Sequence, residues 1–347
     1  MAKIISSSDT DLEIAAVQIN DGGLVAFPTE TVYGLGARLN DPSLAEIFAT
    51  KKRPYSDPLI THFATAEAAK AYVILTEEEN ILFDKLAAAF WPGPLTIVAP
   101  ATSAVPPLVM AGTGCVGVRV PSHPIAHRFL ELCKEPVAAP SANLFGHISP
   151  TTPEHVFSDL GFREGLLIIS GGCATIGIES TVIRISGSKI TILRPGFITA
   201  HQIEALCPGF VCSSVDMKAQ LASPGHETRH YAPDMPTYMI KKSDSSSLDS
   251  ISLTPATILI DFNRTYSDLS SKVLRYFDLS PIGSMTEAIH KVYQVLREAE
   301  ETEGAQQCVI ADIEDAELPT KQDAELVASL RDRLLRSASH MIRVLTK

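Results

Sequence analysis

Residues 27–37 read Phe-Pro-Thr-Glu-Thr-Val-Tyr-Gly-Leu-Gly-Ala, and Lys51-Lys52-Arg53-Pro54 follows shortly after. A short apolar run, Leu24 to Phe27, gives way at Pro28 to hydroxyls, a carboxylate and two glycines. Gly34 and Gly36 lack a Cβ and so let backbone come close to a bound molecule. Lys51 and Arg53 supply positive charge of the kind that pairs with phosphate oxygens. Together these residues point to a pocket for a polyphosphate beside a small polar molecule.

More polar residues interrupt apolar runs further along. Arg119 stands inside Val-Gly-Val-Arg-Val-Pro, where a cation must either face solvent or be paired. Ala139-Pro140-Ser141-Ala142-Asn143 ends an apolar stretch, and its composition is that of a turn. Gly177-Ile178-Glu179-Ser180-Thr181 is a tight polar turn, and Arg194-Pro195-Gly196 closes the hairpin that follows. By composition alone, Lys51 to Arg53 read as a solvated helix end favoured by the macrodipole. His123 is placed to cap the helix after it.

Two generic motifs are set aside. Gly112-Thr113-Gly114-Cys115-Val116-Gly117 fits G-x-G-x-x-G, but a dinucleotide fingerprint opens a helix, and here a strand is predicted next. His226-Glu227-Thr228-Arg229-His230 fits H-E-x-x-H. Prolines on both sides leave room for only a short helix, whereas zinc use needs both histidines on one stable helical face. Neither a G-x-S-x-G elbow nor a Walker A loop is present.

The positioning elements are predicted as follows. Thr10 to Glu13 forms a capping box for a helix with Leu12, Ala15, Ala16 and Ile19 on one face. Strands are expected at 24–27, 59–63, 95–99, 116–120, 137–139 and 166–169. Asp41-Pro42 starts a helix over 43–50 that ends at the basic cluster, and Thr76 with Glu79 caps another. Helices are expected at 123–133 and 153–160, and a hairpin turns at 186–189. Residues 206–236, with Cys-Pro-Gly, Ser-Pro-Gly and Ala-Pro, read as an extended linker. Beyond a Ser-rich stretch, 243–252, come a strand (257–261), a helix (285–300), a strand (308–312) and a long helix (323–344). The pattern predicts an α/β protein, with a twisted mixed sheet first and a small Rossmann-like α/β domain after it.

Length and charge bound the class. With 347 residues the chain can hold two domains. A hydrophobic content of 45% with 20% charged residues is that of a globular protein. The net charge of -11 argues against broad nucleic-acid binding. Six cysteines without a CxxC pair predict a reduced, cytoplasmic protein. No signal-peptide pattern and no membrane-length apolar run is seen.

FPTETVYGLGA, KKRP, GVRVPSHP, APSAN, GIESTV, LRPG and RHYAP occur in the order seen in the threonylcarbamoyl-adenylate synthase family, which the chain resembles over roughly residues 10–235. The resemblance implies a YrdC-like catalytic domain (1–205), a linker folding over the active site (206–236) and a C-terminal Sua-type domain (237–347). It implies that L-threonine, bicarbonate or CO2, and ATP carrying Mg2+ give threonylcarbamoyl-adenylate and pyrophosphate. Lys51 and Arg53 would stabilise phosphate charge. Thr31, His62, Arg119, Ala139 and Ser180 would hold L-threonine. Arg53, Asp57, Cys115, Ser141, Asn143, Ser149, Arg194 and Tyr231 would hold ATP. Asp57 stands where the family usually has Asn, and Ser170 and Arg184 where it often has Asp; His226 also departs from the pattern.

The product would pass to tRNA threonylcarbamoyl-transferase machinery, with at most weak direct tRNA binding and no membrane partner. Two other readings stay open. A carbamoyltransferase with a YrdC-like domain would turn over carbamoyl phosphate. A non-catalytic RNA-binding module would bind tRNA with a steep salt dependence.

Overall fold

In the computed structural model, which describes residues 1–212, 230–241, 250–314, 316 and 318–345, capping side chains start most of the helices. Ser8 opens the helix Asp9–Asn20 by accepting the Asp11 N–H at 3.3 Å. The cap therefore falls two residues before the predicted Thr10, because the extended Ser8 already satisfies that donor. Leu12, Ala15, Ala16 and Ile19 form its buried face, as the periodicity predicts. Asn40, not Asp41, caps the helix Asp41–Lys51, accepting the Ser43 N–H at 2.9 Å. Thr76 and Glu79 make the full capping box of the helix Glu77–Phe90. His123 Nδ1 accepts the Ile125 N–H at 3.2 Å and caps the helix Pro124–Leu132.

Two units are distinguished, each with its own sheet. The first takes Met1–Phe145 and, among the described residues, Ser149 to Cys212; the second takes Gly146–Ile148 and the described residues from His230 onward. The first sheet is built from β1 (Lys3–Ile5), β2 (Val25–Phe27), β3 (Gly34–Arg38), β4 (Ile60–His62), β5 (Leu95–Pro100), β6 (Cys115–Arg119), β7 (Val137–Ala138), β8 (Leu167–Ile169), β9 (Thr181–Ser186), β10 (Lys189–Arg194) and β11 (Val211–Cys212). Their order is β1-β8-β2-β3-β7-β4-β6-β5-β9-β10-β11, with parallel and antiparallel pairs mixed. Alternate residues serve opposite faces. Val25 and Phe27 pack with Ala16, Ile19 and Phe129, while Ala26 joins the larger core of Leu44, Phe48, Phe83 and Leu86.

Gly34 and Gly36 prove to be packing glycines. A Cβ on Gly36 would stand 2.8 Å from Val137 Cγ1 and 3.1 Å from the Val25 carbonyl oxygen. Gly36 is needed for a close approach between neighbouring strands of the sheet. Gly112 and Gly114 adopt positive φ of 78° and 69° in the turn before β6, so a strand does follow the G-x-G-x-x-G match.

The second unit carries an all-parallel sheet of β12 (Thr237–Lys241), β13 (Ser250–Ile251), β14 (Thr257–Asp261), β15 (Arg275–Asp278), β16 (Gln307–Ala311) and β17 (Ile342–Leu345), in the order β13-β17-β12-β16-β14-β15. The interior strand β14 is buried along its whole length, as expected of a parallel strand covered on both faces. The helices Met285–Glu300 and Lys321–Ser337 accompany the sheet.

The predicted helix over 323–344 is corrected. It ends at Ser337, the chain turns through positive φ at Ser339 and His340, and Ile342–Leu345 becomes β17. Left-handed residues stop a helix, and the branched side chains of Ile342 and Val344 suit a strand. In the predicted linker, Val211–Cys212 pairs with β10 in parallel. Residues 213–229, including His226 to Arg229 of the H-E-x-x-H match, and 242–249 of the Ser-rich stretch lie outside the described residues.

Candidate active site

Polar side chains collect around the C-terminal ends of β4 and β6. His62 and Arg119 are register partners across these two strands. Arg119 is 4% exposed, and its Nη2 donates to Glu30 Oε1 at 2.6 Å. Its Nη1 donates to Thr31 Oγ1 at 3.0 Å and its Nε to the Gly93 carbonyl at 3.3 Å. A guanidinium has five N–H donors, so one N–H remains on each of Nη1 and Nη2. Glu30 Oε2 accepts the Ser122 N–H at 3.1 Å, which fixes the carboxylate that fixes the arginine. Thr31 is steadied by Thr29, whose hydroxyl lies 2.8 Å from its own.

His62 is buried, with its ring edge-on to Phe27. Burial, and then the charge of Arg119, push its pKa down to about 3, so the imidazole is neutral at pH 7. Ala139 stands opposite Ile60, two positions back along β4 from His62, its N–H donated to the Ile60 carbonyl at 2.9 Å. The Gly93–Pro94 turn links Arg119 to the next group. Pro94 accepts the Thr181 N–H at 2.9 Å, next to Ser180. Ser180 Oγ lies 2.8 Å from Thr96 Oγ1 and accepts from Arg194 Nη2 at 3.2 Å. Arg194 also donates to the Ser180 carbonyl through Nε and Nη2.

A second group forms where the helix Asp41–Lys51 ends. Lys51 is buried, and its Nζ donates to the Ser141 carbonyl at 2.6 Å and to the Asn143 carbonyl. Burial, and then the neighbouring Arg53, push this ammonium well below the ordinary lysine value. The Ser141–Asn143 loop is held independently by the Gly34–Ser141 bridge and by Ala142 N–H to the Tyr33 carbonyl at 2.8 Å. Arg53 pairs with Asp57 at 2.8 Å, donates to the Pro58 carbonyl at 2.8 Å and lies 6.0 Å from the centre of the Phe145 ring. Ser149 Oγ donates to Glu179 Oε1 at 2.6 Å.

Thr31, His62 and Arg119 therefore form one group, with Ala139 opposite Ile60 on the strand beside it, Ser180 and Arg194 a second, and Lys51, Arg53, Asp57, Ser141 and Asn143 a third. Cys115 opens β6 and so lies at the other end of that strand from Arg119, in a small apolar cluster with Val98, Val182 and Leu193. Tyr231 belongs to the second unit, where its ring lies 4.1 Å from His230, 5.4 Å from Tyr293 and under the Arg333 guanidinium at 5.6 Å. Sequence reasoning missed Glu30 and Glu179. The signal for both was a carboxylate beside hydroxyl residues, Thr-Glu-Thr and Glu-Ser-Thr, in segments otherwise destined for burial.

Residues 17–196 match the Sua5/YciO/YrdC family, described as "Telomere recombination", and residues 198–339 match "Threonylcarbamoyl-AMP synthase, C-terminal domain". The chain belongs to the threonylcarbamoyl-AMP synthase family. It is 41% identical over 237 residues to the Pyrococcus abyssi threonylcarbamoyl-AMP synthase, covering 66% of this chain and 68% of that one. It is likewise 41% identical over 236 residues to the Bacillus subtilis threonylcarbamoyl-AMP synthase, covering 67% of each. Among solved structures, P. abyssi Sua5 complexed with L-threonine superposes with a TM-score of 0.81 at 30% identity, covering both chains fully. The Glu30–Arg119 and Lys51–Ser141 arrangements lie inside the 17–196 match, and β12 to β16 lie inside the 198–339 match.

Proposed function

We propose that this chain makes threonylcarbamoyl-AMP and pyrophosphate from L-threonine, bicarbonate or CO2, and ATP. The observation that carries the reading is Arg119: a buried guanidinium held on three sides, with one N–H left on each Nη. Two such donors match the two oxygens of an amino-acid carboxylate. Thr31, neutral His62, the Ala139 backbone and Ser180 then surround the rest of L-threonine. L-Threonine is the ligand in the P. abyssi Sua5 structure, a structural relative that spans the whole chain.

The chemistry asks for alignment and charge neutralisation rather than a protein nucleophile. The threonine amine attacks the carbon of CO2, an N–C bond forms, and the nitrogen loses a proton to give a carbamate. A carbamate oxygen attacks the α-phosphorus of ATP, and the bond to the β-phosphate oxygen breaks as pyrophosphate leaves. Arg53 and Arg194 offset the negative charge on the phosphates. Lys51 acts by shaping the Ser141–Asn143 loop against the nucleotide, with Ser149 beside it. Asp57, Cys115 and Tyr231 are retained as nucleotide residues on resemblance alone.

Magnesium enters as part of the substrate, MgATP. Asp57, the carboxylate of the Arg53 group, is wholly buried and faces Arg53 at 2.8 Å, so its charge is already balanced. That suits an ion carried on phosphates and water, as magnesium commonly is. The product would go to the machinery that modifies tRNA adenosine, and the reading places the chain in the cytoplasm. Among the described residues no helix is long and apolar enough to cross a membrane.

The test is pyrophosphate release from ATP with and without L-threonine and bicarbonate, with mass spectrometry of the product. Release that needs both, with a threonylcarbamoyl-adenylate mass, is expected. Turnover that needs carbamoyl phosphate instead would move the assignment to carbamoyl transfer.

A further inference from the structure

We propose that Thr96 is a positioning residue for the reaction: its hydroxyl donates to Ser180 Oγ and so leaves the Ser180 proton for an oxygen of the substrate. The inference rests on the proposed function, in which Ser180 lies against L-threonine or the carbamate made from it.

Thr96 lies on β5, between β6 and β9. A Cβ on Gly117 of β6 would stand 3.2 Å from Thr96 Cγ2, so the Thr96 methyl fills the space a side chain there would need. Gly117 and Arg119 are two apart on β6 and share a face of the sheet. Thr96 is therefore turned to the face that carries the Arg119 group. A β-branched side chain is stiff about χ1. With its methyl seated over Gly117, Thr96 holds its hydroxyl toward Ser180, whose Oγ lies 2.8 Å away. Ser180 is fixed in turn by Arg194, which donates to its carbonyl through Nε at 3.2 Å and Nη2 at 3.1 Å, and to its Oγ through Nη2 at 3.2 Å.

The proton inventory sets the direction of the bond. Among the described residues Thr96 Oγ1 has no hydrogen-bond partner besides Ser180 Oγ, and Ser180 Oγ has only Thr96 and Arg194. The two hydroxyls carry two protons and share one bond, so one proton is left over. If Ser180 donated, that proton would sit on Thr96, which is wholly buried and packed against Gly117. A buried donor left unmade is costly. If Thr96 donates, Ser180 Oγ accepts from both Thr96 and Arg194, which fills its two lone pairs. The spare proton is then the one on Ser180, and a bound substrate oxygen accepts it. Ser180 so arranged can only donate: it has no lone pair for the threonine ammonium and selects an oxygen.

Threonine-dependent pyrophosphate release by the full-length chain tests this with Thr96→Val, Thr96→Ser, Ser180→Ala and the double variant Thr96→Val/Ser180→Ala. Thr96→Val keeps the branched shape and loses the donor. It should lower kcat/KM for L-threonine about tenfold. Thr96→Ser keeps a hydroxyl and should recover most of that loss. Because Thr96 acts through Ser180, the double variant should be no slower than Ser180→Ala, whereas independent effects would multiply. The plainer account is a cross-strand link that serves the fold alone. Thr96→Val would then lower the urea midpoint and leave kcat/KM at the wild-type value. That result, or losses that multiply in the double variant, would overturn the role of Thr96. Wild type without threonine-dependent release would overturn the proposed function itself, and that outcome is seen before any substitution is made.

Discussion

Both units set an arginine against a carboxylate near a strand end, and the two pairs are built differently. In the second unit, Arg331 meets Asp312 through two bonds, Nε to Oδ1 at 2.8 Å and Nη2 to Oδ2 at 2.9 Å, and also reaches Glu314 at 3.0 Å. Its side chain is 21% exposed, and Lys241 joins the same carboxylates. In the first unit, Arg119 gives Glu30 a single bond, divides its other contacts between Thr31 and Gly93, and is almost fully buried. Desolvating a guanidinium without saturating it is costly, so a fold that retains one must hold it by several fixed partners. The Arg331 group is complete by itself and reads as structure. The Arg119 group lacks two acceptors and reads as a site.

The largest effect should come from removing the fork of Arg119. Lysine keeps the charge but cannot reach Glu30, Thr31, Gly93 and a carboxylate at once. We expect Arg119→Lys to lower kcat/KM for L-threonine at least a hundredfold, about 2.7 kcal/mol in the barrier. Arg331→Lys serves as the matched control and should stay near wild type. Steady-state kinetics on both settles it, and an equal, small change in the two would erase the distinction between them.

Lys51 tests a different kind of buried cation, one whose acceptors are carbonyls rather than a carboxylate. Lys51→Met strands the Ser141 and Asn143 carbonyls, at about 1–3 kcal/mol for each buried group left unmade. Urea unfolding should show that loss, and turnover should fall at least tenfold as the loop loosens. Full activity in a destabilised variant would confine Lys51 to the fold.

His62 gives the contrast a pH dependence. Its pKa is near 6.5 when the chain is unfolded and about 3 when folded, with burial the main cause. Between these values the unfolded state binds the proton and the folded state does not, so this residue's contribution to stability falls as pH drops from about 6.5 toward 3. The unfolding free energy of wild type minus that of His62→Gln should therefore shrink on going from pH 7 to pH 4. A difference that stays constant with pH would mean the imidazole is not held neutral.

How far these features could be read in advance follows from where their determinants lie. The Thr76–Glu79 box and the apolar face of Leu12, Ala15, Ala16 and Ile19 are local, and both were legible. That Arg119 needed a partner was legible too, because it interrupts an apolar run. Its partner was not, since Glu30 lies 89 residues away. The acceptors of Lys51 are main-chain carbonyls and leave no trace in residue type. Asn40 and Asp41 are equally competent caps, so the sequence could not choose between them. Ile342 to Leu345 continue an apolar pattern that helix and strand share, and only the turn at Ser339 and His340 decides for the strand. Gly34 and Gly36 marked a close approach, and in the fold Gly36 makes one to Val137 of β7 and to the Val25 carbonyl of β2.

The smallest effect should be that of Arg331→Ala. The substitution removes two bonds from Asp312, yet Lys241 Nζ lies 3.6 Å from the same carboxylate and remains as its counter-charge. No buried ion is then left alone, which is what makes broken pairs expensive. With Lys241 still facing the buried Asp312, a loss of about 1 kcal/mol in urea unfolding is expected, with turnover within about twofold of wild type. If Arg331→Ala instead lowered turnover as deeply as Arg119→Lys, saturation of a guanidinium would be no guide to its role.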